Sequence, residues 1–228
     1  GERIRAYLLD VKKTSKSAMI ILSRTHASLI QRLFEMEVPE ISEGMVEIMG
    51  IVREPNGRTK IAVRSNDRDI DAVGACVGMR GMRVQSIVQE LRGEKIDIIQ
   101  YSDDIIEYTT NALNPARISN ILIVDLEGKI LEVIVAEDQL SLAIGRKGQN
   151  VRLASKLLGW EINIKSPTEK KQEILSQMDR ITSAPSGTPS PFSILEGVGE
   201  KPVLQLREAG SKFVQELAAQ SVEAGSAI

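Results

Sequence analysis

Several residue types that would announce a chemistry are scarce in this chain. One cysteine, Cys76, in 228 residues excludes an internal disulfide framework and suits a reducing compartment. It stands between Ala75 and Val77 and reads as a small buried hydrophobe. One histidine, His26, leaves no His-Glu-x-x-His or two-His metal site. No paired catalytic constellation gathers round it, and it reads as a polar residue at a helix start. No Gly-x-x-x-x-Gly-Lys-Ser/Thr run is present, so a loop that wraps a triphosphate is excluded. No metal, no cofactor and no enzymatic activity are expected. Aromatic residues are only 3% of the chain, which argues against recognition of bases by stacking on an aromatic sheet. Apolar stretches such as Ile121-Leu122-Ile123-Val124 are strand-sized, and none approaches the ~20 residues of a membrane span. The N-terminus lacks the charged, apolar, small-residue order of a secretory leader. A cytoplasmic location with no membrane partner is expected. An excess of one charge is missing too. With 29 cationic and 31 acidic side chains the net charge is −2, so attraction to a polyanion must be local. The chain opens on Gly1 instead of methionine and is expected to be a piece of a longer protein.

What is present is a repeat. Gly78-Met79-Arg80-Gly81 and Gly145-Arg146-Lys147-Gly148 are both Gly-x-x-Gly, and their surroundings match. The pairs Gly78/Gly145, Gly81/Gly148, Val84/Val151, Leu91/Leu158 and Asp71/Asp138 share one offset. An apolar approach precedes each turn (Ala75-Cys76-Val77, Leu142-Ala143-Ile144). A helical pattern follows it, then a glycine, then an alternating strand, Lys95-Ile96-Asp97-Ile98 or Glu161-Ile162-Asn163-Ile164. The same supersecondary unit is written twice, so two similar sites are expected.

The chemistry of such a turn is that of an anion clamp. Glycine adopts positive φ and lets another backbone come close. A turn that opens a helix also leaves N–H groups without intrahelical partners, facing outward. In the second copy both central residues are cationic, Arg146 and Lys147. Arg152 and Lys156 follow, and no acid lies between Gly145 and Lys156. The first copy is milder, with Arg80 and Arg83 beside Met79 and Met82.

A Gly-x-x-Gly turn between helices, flanked by strands, is how KH domains clamp about four nucleotides of single-stranded RNA backbone. The stretches Asp71–Gly81, Gly93–Ile99, Asn111–Ala116 and Asp138–Arg152 resemble, in order and spacing, the two KH modules of the NusA family of bacterial transcription factors. The resemblance spans roughly residues 1–166. It implies an α+β fold of tandem bacterial-type (type II) KH domains, after a partial β-barrel remnant and before a small helix-hairpin-helix-like segment. It also implies RNA contacts from Gly78, Met79, Arg80, Gly81 and Arg83, and from Gly145, Arg146, Lys147, Gly148, Gln149, Asn150 and Arg152. Asn150 is expected to reach a sugar or base. The implied partners are single-stranded RNA, RNA polymerase (mainly through regions outside this chain) and other Nus-type factors, in pausing, termination and antitermination. Two other readings stay open: an RNA-binding accessory of ribosome assembly or RNA decay, and a protein scaffold whose KH folds have lost RNA.

The rest of the chain divides by composition. Residues 1–25 alternate like a hairpin around a polar turn and are expected to be the end of an oligonucleotide-binding barrel, docked on the first module or disordered. Residues 26–101 form the first KH domain: a helix over 26–37 stopped by Pro39, then strands near 45–53 and 59–65 joined at Asn56-Gly57. Residues 102–166 form the second, led by a linker helix near 103–113, with Asp103-Asp104 as its solvated start. Residues 167–191 are a helix and a Pro/Ser-rich linker, and Ser166-Pro167-Thr168-Glu169 carries a capping-box pattern. Residues 192–228, around Gly197-Val198-Gly199, read as a locally acidic helix-hairpin-helix-like module suited to a protein partner. That Gly-x-Gly lacks the strand–helix setting of a dinucleotide site.

Overall fold

The computed structural model describes residues 1, 3–15 and 17–182. The chain separates into two units, residues 1–173 and 174–228. The expected helix-hairpin-helix module and most of the linker lie outside the described residues.

In the first module, helix α1 (Ala27–Glu37) begins where the His26 ring nitrogen Nδ1 accepts from the Ser28 N–H. Its apolar residues recur at helical spacing, and Leu29, Ile30, Leu33 and Phe34 are all buried. Pro39 ends α1 as expected, but its fixed φ also starts a short helix, α2 (Pro39–Ser42), which periodicity did not suggest. Strands β3 (Val46–Glu54) and β4 (Arg58–Ser65) pair antiparallel, with Asn56 at φ 59° in the turn between them. After helices α3 (Ala72–Val77) and α4 (Met82–Glu90), strand β5 (Lys95–Gln100) returns parallel to β4, giving the order β3-β4-β5.

The second module repeats the plan. Helix α5 (Ile105–Ala112) is capped by Asp104, whose Oδ1 accepts from the Ile106 N–H at 2.9 Å. Strands β6 (Ile118–Asp125) and β7 (Ile130–Val135) pair antiparallel. Helices α6 (Leu140–Ile144) and α7 (Gln149–Leu158) follow, and β8 (Glu161–Lys165) joins β7 in parallel. The capping box at α8 (Pro167–Thr182) is reciprocal: Glu169 N–H donates to Ser166 Oγ at 3.0 Å, and Ser166 N–H donates to Glu169 Oε2 at 2.8 Å.

Alternation along β4 explains how the modules meet. Ile61 and Val63 point into the first module's core with Phe34, Cys76 and Ile87. Ala62, between them, points the other way and joins Ile99 in the core of the second module, with Leu131, Val133, Ala154 and Ile162. The first sheet is therefore buried on two faces, by its own helices and by the neighbouring module. Gly50 on β3 fits that contact, since a Cβ there would lie 3.2 Å from Cδ1 of Leu157.

The segment before α1 forms a two-stranded antiparallel hairpin, β1 (Tyr7–Lys13) and β2 (Ala18–Ser23). Tyr7 packs on the first core and stacks on the His26 ring at 4.9 Å. Arg24 donates to the Arg5 carbonyl and to the Glu90 carboxylate and carbonyl. The outer residues Leu8, Val11, Met19, Ile20 and Leu22 are all more than half exposed.

Candidate nucleic-acid interface

The two turns are superimposable in dihedral space. Gly78 has φ 74°, ψ 172° and Gly145 has φ 74°, ψ 174°. Arg80 (52°, 26°) matches Lys147 (54°, 31°), and Gly81 (78°, 12°) matches Gly148 (71°, 16°). The third residue of each turn is thus a cation held in the left-handed region, a conformation costing about 1–3 kcal/mol that persists only where the surroundings impose it. In each turn the first i→i+3 bond runs from Gly81 N–H to the Gly78 carbonyl, or from Gly148 N–H to the Gly145 carbonyl. The N–H groups of Met79, Arg80, Arg146 and Lys147 precede that bond and have no intrahelical acceptor. Neither α4 nor α7 has a side-chain N-cap.

The glycines are not equivalent. A Cβ on Gly145 would lie 2.7 Å from Asn150 Cβ and 2.9 Å from Asn150 N; one on Gly78 would lie 2.6 Å from Arg83 Cγ. Gly148 has open space there, and Gly81 has only Val84 at 4.0 Å. The first glycine of each turn is required by both φ and contact, the second by φ alone.

Arg83 and Asn150 occupy the same place in the two copies, and both turn inward. Arg83 Nη1 donates to the Ala75 carbonyl at 2.6 Å and is paired with Glu40 at 2.9 Å. Asn150 is 3% exposed, and its Nδ2 donates to the carbonyls of Leu142 (3.2 Å), Ala143 (3.2 Å) and Leu113 (3.1 Å). Each side chain ties the end of the helix before the turn to the helix after it. The Asn150 amide nitrogen is thus spent on protein carbonyls, while its Oδ1 is buried with no hydrogen-bond partner among the described residues. The Arg83 guanidinium is likewise engaged within the protein.

Gln149 and Arg152, on the first turn of α7, are engaged by an acid from the other module. Gln149 Nε2 donates to Glu54 Oε2, and Arg152 Nε to Glu54 Oε1, both at 2.8 Å. The hydrogen bond from Arg152, then that from Gln149, holds the Glu54 carboxyl below its usual pKa. Arg152 Nη1 also donates to the Lys147 carbonyl at 3.3 Å. Arg80, Arg146 and Lys147 are exposed and have no ion-pair partner among the described residues. Met79 and Met82 are 80% and 69% exposed. Beside them a shallow depression of about 420 Å³ runs along α4, lined by Arg80, Val84, Gln85 and Gln89. Cys76 is buried, and burial pushes its thiol up to about 12, so it is inert at neutral pH. Sequence reasoning missed Glu40 and Glu54, because nothing in local spacing signals an acid that arrives from 43 or 98 residues away.

Two three-stranded sheets, each an antiparallel pair completed by a parallel strand and crossed by a helix–Gly-x-x-Gly–helix unit, define a tandem type II KH protein. Residues 24–101 match the NusA-like first KH domain and residues 105–172 the NusA-like second KH domain. Together the matches cover more than half of the chain, which belongs to the NusA-type KH family. Relatives include a protein of Bacillus subtilis named "Transcription termination/antitermination protein NusA", 53% identical over 171 residues, covering 75% of this chain and 46% of that protein. The protein of that name in Halalkalibacterium halodurans is 52% identical over 172 residues, with 75% and 45% covered. In Thermus thermophilus the figures are 49% over 163 residues, with 72% and 42% covered. The chain spans about half the length of the curated relatives it matches.

Proposed function

We propose that this chain is the RNA-gripping part of a transcription elongation factor and takes part in termination and antitermination. The observation that carries the reading is the duplicated turn: the same run of dihedral angles twice, with outward N–H groups beside Arg80 in one copy and Arg146-Lys147 in the other. N–H groups at a helix start donate to phosphate oxygens, and the cations add charge. Gly78–Gly81 and Gly145–Gly148 hold RNA phosphates. Met79 and Met82 give apolar contact to sugar and base, and Gln149 and Arg152 flank the second grip. If each turn clamps about four nucleotides, the pair engages roughly eight or more. The relatives' names support a role in transcription termination and antitermination. RNA polymerase and other Nus-type factors are the protein partners, engaged largely by regions beyond the matched KH pair. The protein acts in the cytoplasm by binding, without catalysis. Among the described residues no helix is long and apolar enough to cross a membrane.

The test is affinity for unstructured single-stranded RNA, with paired substitutions M79D/R80D and R146D/K147D. Both should weaken binding, the second more. The log–log salt slope should be near −0.7 for each phosphate contacted. Unchanged affinity in both variants would reject the clamp. Absence of binding by the parent would favour the scaffold reading.

A further inference from the structure

The α7 start is acid-free in local sequence, yet a carboxylate occupies it. Glu54 comes from the end of β3 in the other module and offers one oxygen to Gln149 and the other to Arg152, each at 2.8 Å. This is the way a phosphate group would be held, with two oxygens on two donors beside a helix start. The approach is close: a Cβ on Gly57, in the same hairpin, would lie 3.0 Å from Gln149 Nε2. The Arg152 guanidinium also touches the Lys147 carbonyl, within the second Gly-x-x-Gly turn. A phosphate on that turn would lie next to Arg152 and would compete with Glu54 for it. The Arg152 and Glu54 side chains are 48% and 26% exposed, so the ion pair is open to exchange and of modest strength. The apolar contact between the modules, through Ala62, Ile99 and Leu157, does not depend on it.

We infer that Glu54 is an internal stand-in for RNA phosphate: it occupies Arg152 and Gln149 in the free protein, lowers the affinity of the second turn, and is displaced when RNA binds. This rests on the RNA reading above and adds its regulation. It makes Glu54 a brake on RNA binding, whereas a purely structural weld between the modules would make it an aid.

The two alternatives predict opposite signs. Affinity of the full chain for an unstructured 12-nucleotide single-stranded RNA would be measured by fluorescence anisotropy from low to moderate salt. The variants are E54Q, R152Q and E54Q/R152Q, with R146D/K147D as a report on the turn itself. Glu54→Gln is isosteric and removes one half-exposed ion pair, so its melting temperature should stay within about 4 °C of the parent. The expected result is binding about three- to tenfold tighter in E54Q at low salt, and loss of the gain in E54Q/R152Q. Equal or weaker binding by E54Q overturns the inference. So does a gain that persists in E54Q/R152Q, which would reflect net charge alone. If R146D/K147D binds like the parent while E54Q binds tighter, the turn reading fails, and with it the claim that Glu54 acts on the turn; the exchange of Glu54 for phosphate at Arg152 and Gln149 stands. If R146D/K147D loses binding while E54Q is unchanged, the turn reading stands and the Glu54 inference fails. If the parent is silent, binding gained by E54Q supports the inference and continued silence overturns it.

Discussion

Alanine in place of each turn glycine should separate two costs that the backbone angles alone would merge. At Gly148 (φ 71°, ψ 16°) the left-handed conformation penalises alanine, but a Cβ meets nothing within 4 Å. The expected loss is about 1–2 kcal/mol. At Gly145 (φ 74°, ψ 174°) the region is nearly glycine-only, which costs about 1–3 kcal/mol. The new Cβ would also sit 2.7 Å from Asn150 Cβ and 2.9 Å from its backbone nitrogen. Relief requires α7 to shift, adding an overpacking cost of about 1–3 kcal/mol. Gly145→Ala should therefore cost roughly 2–6 kcal/mol, at mid-range some 2–3 kcal/mol more than Gly148→Ala. Gly78→Ala should fall between them, because the nearest atoms its Cβ would meet, Arg83 Cγ at 2.6 Å and Cβ and Cδ at 2.9 Å, include no backbone atom, unlike those at Gly145. Urea unfolding at equal m value measures the differences. A gap between Gly145→Ala and Gly148→Ala below about 1 kcal/mol would refute the claim that close contact, in addition to φ, makes the first glycine obligatory.

Further expectations follow from the cores and brackets. Asn150→Ala should cost about 1–3 kcal/mol by depriving the Leu113, Leu142 and Ala143 carbonyls of their donor, read by the same urea titration; a neutral result would mean water replaces the amide. Phe34→Ala, in the first module's core, should cost about 3–5 kcal/mol. It should also lower the unfolding midpoint seen by Trp160, the single tryptophan, which packs on the second core. An unmoved Trp160 transition would show that the modules melt independently. Glu94 is buried against Arg53, Thr59 and the Asn56 N–H. Burial alone would raise its pKa, but the Arg53 and Thr59 hydrogen bonds and the Arg53 charge outweigh it and hold the carboxyl below 4.5. A depressed folded pKa means the stabilisation is complete above 4.5 and is lost as pH falls through the folded value. Glu94→Gln should cost about 3–5 kcal/mol at pH 7. It should flatten the fall in stability below pH 4.5; a variant with the parent's acid profile would show that other carboxylates govern it.

Much of the architecture was legible because the signals were local. The turn at Asn56-Gly57, the Ser166–Glu169 capping box and the amphipathic stripe of α1 each lie within a few residues of their partners. The duplicated turns were legible because the copies could be read against each other. What was hidden is long-range. Local pattern does not tell that Ala62 faces a different core from Ile61 and Val63. Arg83 and Asn150 look like solvent-facing polar residues in a phosphate-binding stretch, and only the packed turn shows them reaching back to the preceding helix. The acid-free run from Gly145 to Lys156 is real as sequence, yet Glu54 answers it from the other module.

The inward bracket has a consequence for how such loops change over time. Arg83 and Asn150 differ in charge, size and donor count, yet they produce turns whose angles agree closely. Turn shape is thus secured from beneath, by a side chain five positions past the first glycine and by the absence of a Cβ above it. The two residues at the apex contribute little to that shape and are free to vary, as Met79-Arg80 and Arg146-Lys147 already do. The apex behaves as an exchangeable cassette on a mount of the same shape in both copies. Swapping the two dipeptides between copies should transfer their ligand preference without refolding either module, whereas swapping a bracket without its glycine should not be tolerated.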